Sequence, residues 1–181
     1  MKLLLYCTKG KPYLYKLFTR PFDLTDNKIN DNIKLNGKVV AECDFEVEKI
    51  IPESWNSVIQ KWYPEELLKK SGLNVLDLRD YLGSKNNYTG YAIHIKNLHI
   101  FDKPKELSEY YTFNSNQHIN IDYCKPITKA PQNMIYCWSI WEDHFYKNIL
   151  ISIQPQWLCK ILNDEKTIEI RKKVLKKMLY E

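Results

Sequence analysis

Lys166, Glu169 and Arg171 stand within six residues near the C-terminal end of the chain. Alternate side chains of a strand point to opposite faces, so Glu169 and Arg171 share one face if this stretch is extended. Lys166, at the turn before it, leans toward that face where the strand begins irregularly. A cation, an anion and a second cation are thus expected in one small patch. Lys166 can bind phosphate or, desolvated beside Arg171, act as a base, because burial next to a second cation disfavours its charged form. Glu169 can hold either cation in place, accept a proton, or bind the donor edge of a base. The planar fork of Arg171 suits a phosphate or a carbonyl edge. The competing structural role for the same residues is an ion-pair lattice on an exposed strand, which would stabilise little.

The surrounding elements are legible from pattern. An apolar strand at Ile149–Ile153, a helix started by Pro155 and a tight turn at Asn163-Asp164 lead into the strand that carries the patch. At the other end, Leu3–Thr8 reads as a short apolar strand ended by Lys9-Gly10-Lys11-Pro12. Residues 18–35 are polar and read as a long hairpin loop. Asn36-Gly37 then introduces a strand from Lys38 to Ile50, in which Val39, Ala41, Cys43, Phe45 and Val47 alternate with polar residues. Residues 52–70 have helical potential interrupted by Pro64, and Asn74 can cap a helix from Val75 to Leu82 that Gly83 ends. Tyr91–Phe101 and Met134–Trp138 read as further strands, and Pro104 as the start of a helical turn through Leu107. With few helices and no regular strand-helix alternation, the expected class is α+β, a curled mixed β-barrel with a few short helices.

The stretch Asp164-Glu165-Lys166-Thr167-Ile168-Glu169-Ile170-Arg171 resembles the signature Gly-x-Lys-x-x-Glu-x-Arg that opens the ASCH domain, a branch of the PUA-like superfamily. Lys, Glu and Arg match, and Asp164 stands where the family has Gly. Asn163 and Asp164 are the non-glycine types that best tolerate a left-handed turn. In the family this segment opens the domain, whereas here it closes the chain. The stretches at 3–12, 36–48, 91–107 and 130–136 resemble the later strands of phage-type ASCH proteins. The resemblance therefore implies one PUA-like domain over residues 1–181 in circularly permuted order, with 149–181 as the opening segment and 138–148 as the new link. It also implies that the motif strand pairs with Leu3–Thr8, which places Thr8 and Lys9 in the same cleft and brings the two termini together. Exchange of the segment between two copies, a domain-swapped dimer, is the alternative way of closing such an order.

Composition narrows the classes further. The 181 residues are 44% hydrophobic and 27% charged, a globular balance. No apolar run approaches the length of a membrane span and no signal peptide is evident, so a cytoplasmic location is expected. The five cysteines are scattered without a Cys-x-x-Cys pair, which indicates neither a disulfide framework nor a zinc knuckle. His94 and His99, five apart on a strand, are expected on opposite faces; no metal and no cofactor is assigned. Without a glycine-rich phosphate loop, a nucleoside-triphosphate enzyme is not expected. The net charge of +5 is concentrated at the two ends, where Lys and Arg crowd residues 2–20 and 160–177. Such surfaces attract phosphate.

The first functional expectation is a binding module for RNA or a modified nucleoside or nucleotide, with Lys166, Glu169, Arg171, Thr8 and Lys9 in its cleft. Gln132, after Ala130-Pro131, and Tyr136 can reach a base edge or stack on a base, although Pro-Gln is also an ordinary entry to a strand. The second is a small hydrolase acting on a nucleoside amide or on RNA. ASCH relatives that hydrolyse acylated cytidine nucleosides use a lysine, which matches Lys166, together with a hydroxyl and a carboxylate. Where such an enzyme has the hydroxyl, three residues later, this chain has Glu169, a departure that counts against the same activity; if the chain is an enzyme, Lys166 and Glu169 are its catalytic candidates. The third is a phage-type accessory protein that sequesters a nucleotide or a host factor, with an apolar patch drawn from Trp55, Trp62 and Trp141. A carboxylate row, Glu42, Asp44, Glu46 and Glu48, reads as a solvated strand face or as a source of a general base.

Overall fold

Three successive leucines, Leu3-Leu4-Leu5, leave no polar face on the first strand, so it needs cover on both sides and a neighbour along each edge. The computed structural model describes residues 1–9, 37–50, 65–82, 90–112, 124–142 and 144–179 and supplies both. Strand β1 (Lys2–Cys7) pairs antiparallel with β2 (Val39–Ile50) and parallel with β7 (His144–Ile153). All three leucines are at most 1% exposed. The other strands are β3 (Gly90–Lys105), β4 (Tyr111–Thr112), β5 (Lys125–Pro126), β6 (Met134–Trp141) and β8 (Ile168–Arg171). Helices α1 (Glu65–Ser71), α2 (Val75–Leu82) and α3 (Pro155–Leu162) complete the α+β fold, with 3₁₀ turns at Leu107–Glu109 and Lys176–Leu179. The strands follow the order β5-β4-β6-β7-β1-β2-β3-β8, one mostly antiparallel sheet with two ends. The expected barrel closure is absent from it among the described residues.

Pairing corrects a second expectation. The motif strand β8 lies against β3, with Ile93 opposite Glu169 and Tyr91 opposite Arg171, and not against β1. It is the preceding strand of the C-terminal segment, β7, that joins β1. The reason is physical: β1 is apolar on both faces and suits a central place, whereas four-residue β8 carries Glu169 and Arg171 on one face and occupies a sheet edge. Residues 180–181, and the expected approach of the termini, lie outside the described residues, as do the loop at 18–35, Trp55, Trp62, Pro64 and Gly83. The segment 138–148 forms the outer part of the β6–β7 hairpin, with Trp138 opposite Lys147 and Trp141 opposite His144. Pro104 lies inside β3, and the helical turn begins only at Leu107.

The fold divides into two compact units, one of residues 1–44 and 97–163, the other of 45–96 and 164–181. In the first, Leu4, Tyr6, Val39, Leu107, Tyr110, Ile127, Cys137 and Leu150 form a buried core. In the second, the core is Ile50, Leu67, Leu78, Leu82, Ala92, Ile168 and Ile170. Helix α2 begins as its sequence requires, the Asn74 side chain accepting the Asp77 N–H at 2.8 Å, and Leu78 and Leu82 supply its buried stripe. All five cysteines are thiols, and burial pushes Cys43 and Cys137 up to about 12, which removes them as nucleophiles.

The carboxylate row of β2 is fully engaged. Asp44 meets Lys2 at 2.8 Å and the Asn97 amide at 2.9 Å, Glu46 meets Lys96, Glu48 meets His94 and Glu42 meets His99. His94 and His99 therefore both address this row, against the opposite-face expectation. Asn97 explains it: at φ +48° inside β3 it interrupts the two-residue alternation, so the face is reset between the histidines. No group of three or more metal-ligating side chains occurs among the described residues.

Gly90 opens β3 directly against the Leu82 side chain. A Cβ at this position would meet Leu82 Cδ2 at 2.7 Å and Cδ1 at 3.0 Å, and Leu82 is itself buried in the core of α2. Gly90→Ala is expected to destabilise by about 1–3 kcal/mol, the usual cost of overpacking. The midpoint of urea unfolding should fall at an unchanged slope, and an unchanged midpoint would mean that Leu82 has room to move.

Candidate functional site

The site is built from the end of α3 onward. Asn163 closes that helix, its N–H donating to Cys159 O at 3.0 Å, and Asp164 then takes φ +62°. The left-handed residue expected at Asn163-Asp164 is thus Asp164. Beyond it the chain is tied to two elements: Thr167 N–H donates to Lys70 O at 2.9 Å, and Thr167 O accepts Ile95 N–H at 2.8 Å. These bonds set β8 beside the beginning of β3 and hold Lys166 at the C-terminal end of α1.

Strand alternation then separates the side chains. Ile168 and Ile170 enter the core of the second unit, while Glu169 and Arg171 take the other face. The Lys166 ammonium donates to Ser71 O at 2.8 Å and lies 3.3 Å from Glu169 Oε2. Glu169 Oε1 lies 2.9 Å from Arg171 Nη2. The side chains are 3%, 10% and 13% exposed for Lys166, Glu169 and Arg171 respectively. The patch is thus a buried chain of cation, carboxylate and cation rather than an exposed lattice. Its inner end neutralises carbonyls at the end of a helix, where a positive charge is favoured.

Tyr81, on the last turn of α2 and 39% exposed, lies near enough for the charges of Glu169 and Arg171 to act on its phenol, and sequence reasoning missed it. Burial pushes its phenol up from the ordinary range, with Arg171 pulling it down and Glu169 pushing it up further. The Lys172 ammonium stands 5.3 Å from its ring centroid. The available signal was weak: Tyr81 follows Leu78 by three on a helix whose buried stripe is Leu78 and Leu82, which puts it at the stripe's margin.

Thr8 and Lys9 belong to a different place. They line a cleft of about 560 Å³ in the first unit, together with Tyr6, Gly37, Glu106, Leu107, Ser108, Ile127, Thr128, Lys129 and Ala130. None of the motif residues is among its lining. Gln132 is exposed and outside that lining, in a segment secured by Ser152 Oγ donating to Pro131 O at 2.6 Å. Tyr136 lies on β6, and the Lys147 ammonium stands 4.4 Å from its ring centroid, on a face that a stacked base would need. Trp141, at the tip of the β6–β7 hairpin, is 65% exposed.

No family model, no curated protein and no solved structure matches this chain. Glu169 Oε1 is paired with Arg171 Nη2 and Oε2 with the Lys166 ammonium, so the site presents a guanidinium fork beside a carboxylate held between two cations. Lys166 is turned inward, toward Ser71 and Glu169, so its ammonium serves the carboxylate first. No helix among the described residues is long and apolar enough to cross a membrane.

Proposed function

We propose that the chain is an ASCH-type, PUA-like module in rotated order that binds RNA or a modified nucleoside or nucleotide. The observation that carries this is the buried Lys166–Glu169–Arg171 chain, entered through a left-handed residue at Asp164. Glu169 and the fork of Arg171 would read a base edge, Tyr81 would offer an aromatic flank, and Lys166 would hold Glu169 in position from behind. The eight-stranded sheet would be an open counterpart of the family barrel, with β7, α3 and β8 as the displaced opening segment.

Binding is favoured over turnover by the state of Lys166. Its ammonium, 3% exposed, is already engaged by a carbonyl and a carboxylate, a poor arrangement for a group that must accept a proton from substrate. The cationic surface of Lys172, Lys173 and Lys176, all exposed and next to Arg171 in the chain, supplies phosphate attraction.

Titration with nucleosides, nucleotides and short RNAs at low salt tests this, with affinity for the phosphate-bearing ligands expected to fall steeply as salt is raised. Arg171→Lys keeps the charge but loses the planar fork, and should weaken binding by about 1–3 kcal/mol while the fold survives. Absence of binding by every nucleoside, nucleotide and RNA at low salt would leave the accessory-protein role in front. Release of product from an acylated nucleoside would put the hydrolase first.

A further inference from the structure

The lining of the first unit's cleft contains none of the residues of the proposed site, and the charges described in it do not balance. Lys9 and Lys129 both line it, and among the described residues the only carboxylate in the lining is Glu106. That carboxylate is already ion-paired with Lys38. The four charges sum to two positive, and no acid of the lining remains among the described residues to offset them.

The cleft is also formed by rigid backbone on several sides. Thr8 N–H donates to Ile153 O at 3.0 Å, Cys7 N–H to Lys38 O at 2.9 Å and Gly37 N–H to Cys7 O at 2.8 Å, so the end of β1 is fixed against β7 and against the start of β2. Ile127 N–H donates to Tyr110 O at 2.8 Å and Tyr110 N–H to Leu107 O at 3.2 Å, which joins the wall at 106–108 to the wall at 127–130. Gly37, at φ +84°, leaves room for Lys9: a Cβ there would stand 3.2 Å from Lys9 Cε and 3.5 Å from its Cγ. The stem of Lys9 therefore passes close over Gly37, whose positive φ favours glycine.

Below this rim the lining changes character. Tyr6, Leu107 and Ile127 are members of the buried core and give the cleft an apolar floor. Thr8, Ser108 and Thr128 add hydroxyl-bearing residues to the lining. Burial pushes the Tyr6 phenol up, so it remains a hydrogen-bond donor at neutral pH. Tyr110, 2% exposed and packed in the same core as Tyr6, Leu107 and Ile127, has a hydroxyl with no hydrogen-bond partner among the described residues.

We infer that this cleft binds a phosphomonoester with a small, flat apolar body, Lys9 and Lys129 holding the phosphate and Tyr6, Leu107 and Ile127 receiving the body. A phosphomonoester carries about −1.5 to −2 charge at neutral pH with three acceptor oxygens, which matches two lysines and several hydroxyls. A carboxylate would leave one cation unanswered, and a neutral ligand would leave both. The volume lies in the range of small-molecule sites, and an apolar floor with a few polar groups at one end is their usual composition. A free nucleotide and the 5′-phosphorylated end of an RNA share this chemistry.

Phenyl phosphate is the probe, titrated into the uniformly ¹⁵N-labelled full chain, with inorganic phosphate, phenol and benzoate in parallel. Saturable shifts of the Thr8, Lys9, Thr128 and Lys129 amides are expected with phenyl phosphate. Inorganic phosphate and benzoate should bind about tenfold or more weakly, and phenol not measurably. Lys9→Ala and Lys129→Ala, at exposed positions that leave the core intact, should each weaken phenyl phosphate about tenfold or more. Arg171→Lys should leave its affinity unchanged, so failure here and failure of the proposed base-reading site are told apart. Comparison of uridine 5′-monophosphate with 5′-phosphorylated and 5′-hydroxyl trinucleotides identifies the source of the phosphate. The inference is overturned if these amides do not move, if inorganic phosphate binds as well as phenyl phosphate, or if neither lysine substitution matters.

Discussion

Glu169→Gln is expected to lower the stability of the chain by about 3–5 kcal/mol, although it removes no atom of bulk. The carboxylate lies 3.3 Å from the Lys166 ammonium and 2.9 Å from Arg171 Nη2, and all three side chains are nearly shut off from water. A neutral amide leaves two buried cations facing each other with no anion between them, and its NH₂ end turns a donor toward one of them. For a protein of this size the loss corresponds to a fall of roughly 6–20 °C in Tm. Thermal unfolding followed by circular dichroism measures it. A shift under 2 °C would mean that water reaches the chain of charges and that it behaves as an exposed lattice. Glu169→Gln is therefore a poor separator of binding from turnover, since a loss of either would follow from instability alone. Arg171→Lys is the cleaner substitution.

Lys166→Met comes next, with an expected loss of about 3 kcal/mol. Methionine fills the space of the lysine stem, so the effect isolates the ammonium. Without it the Ser71 carbonyl, at the end of α1, loses a partner that stands 2.8 Å away, and Glu169 keeps only Arg171. The two substitutions act on one interaction, so their effects should not add. The double variant Lys166→Met with Glu169→Gln should cost less than the sum of the two single ones by about 1–3 kcal/mol. Denaturant unfolding of the four proteins provides that cycle, and strict additivity would show that Lys166 and Glu169 do not interact in solution.

Much of the local structure was legible. The Asn74 cap and the Leu78–Leu82 spacing located α2 to the residue, and the alternation of Val39, Ala41 and Cys43 located β2. The turn at Asp164 was readable because only a few residue types accept a positive φ there. Two local features were misread for one reason, which is that a single residue can reset a pattern. Asn97, also at positive φ, shifts the alternation of β3 and turns His99 to the same acidic row as His94. Pro104 lies within that strand rather than starting a helix, and in a strand proline costs only one backbone donor.

The grouping of Lys166, Glu169 and Arg171 was determined by the sequence itself, because spacings of three and two residues on a turn and a strand bring side chains together whatever the rest of the chain does. Their burial was not, since it depends on α1, whose Ser71 carbonyl lies 95 residues away from Lys166 in the chain. The partner of β1 was equally beyond reach: an apolar strand advertises that it needs neighbours but not which ones, and family order pointed to β8 where the fold uses β7 and β2. The cleft of the first unit joins residues 6–9, 37, 106–108 and 127–130, and no local pattern links them. Backbone propensity and side-chain periodicity act over a few residues and can be read in order. Strand pairing, desolvation and the meeting of distant lysines are properties of the folded chain, decided by which surfaces bury each other best, and only the tertiary structure contains them.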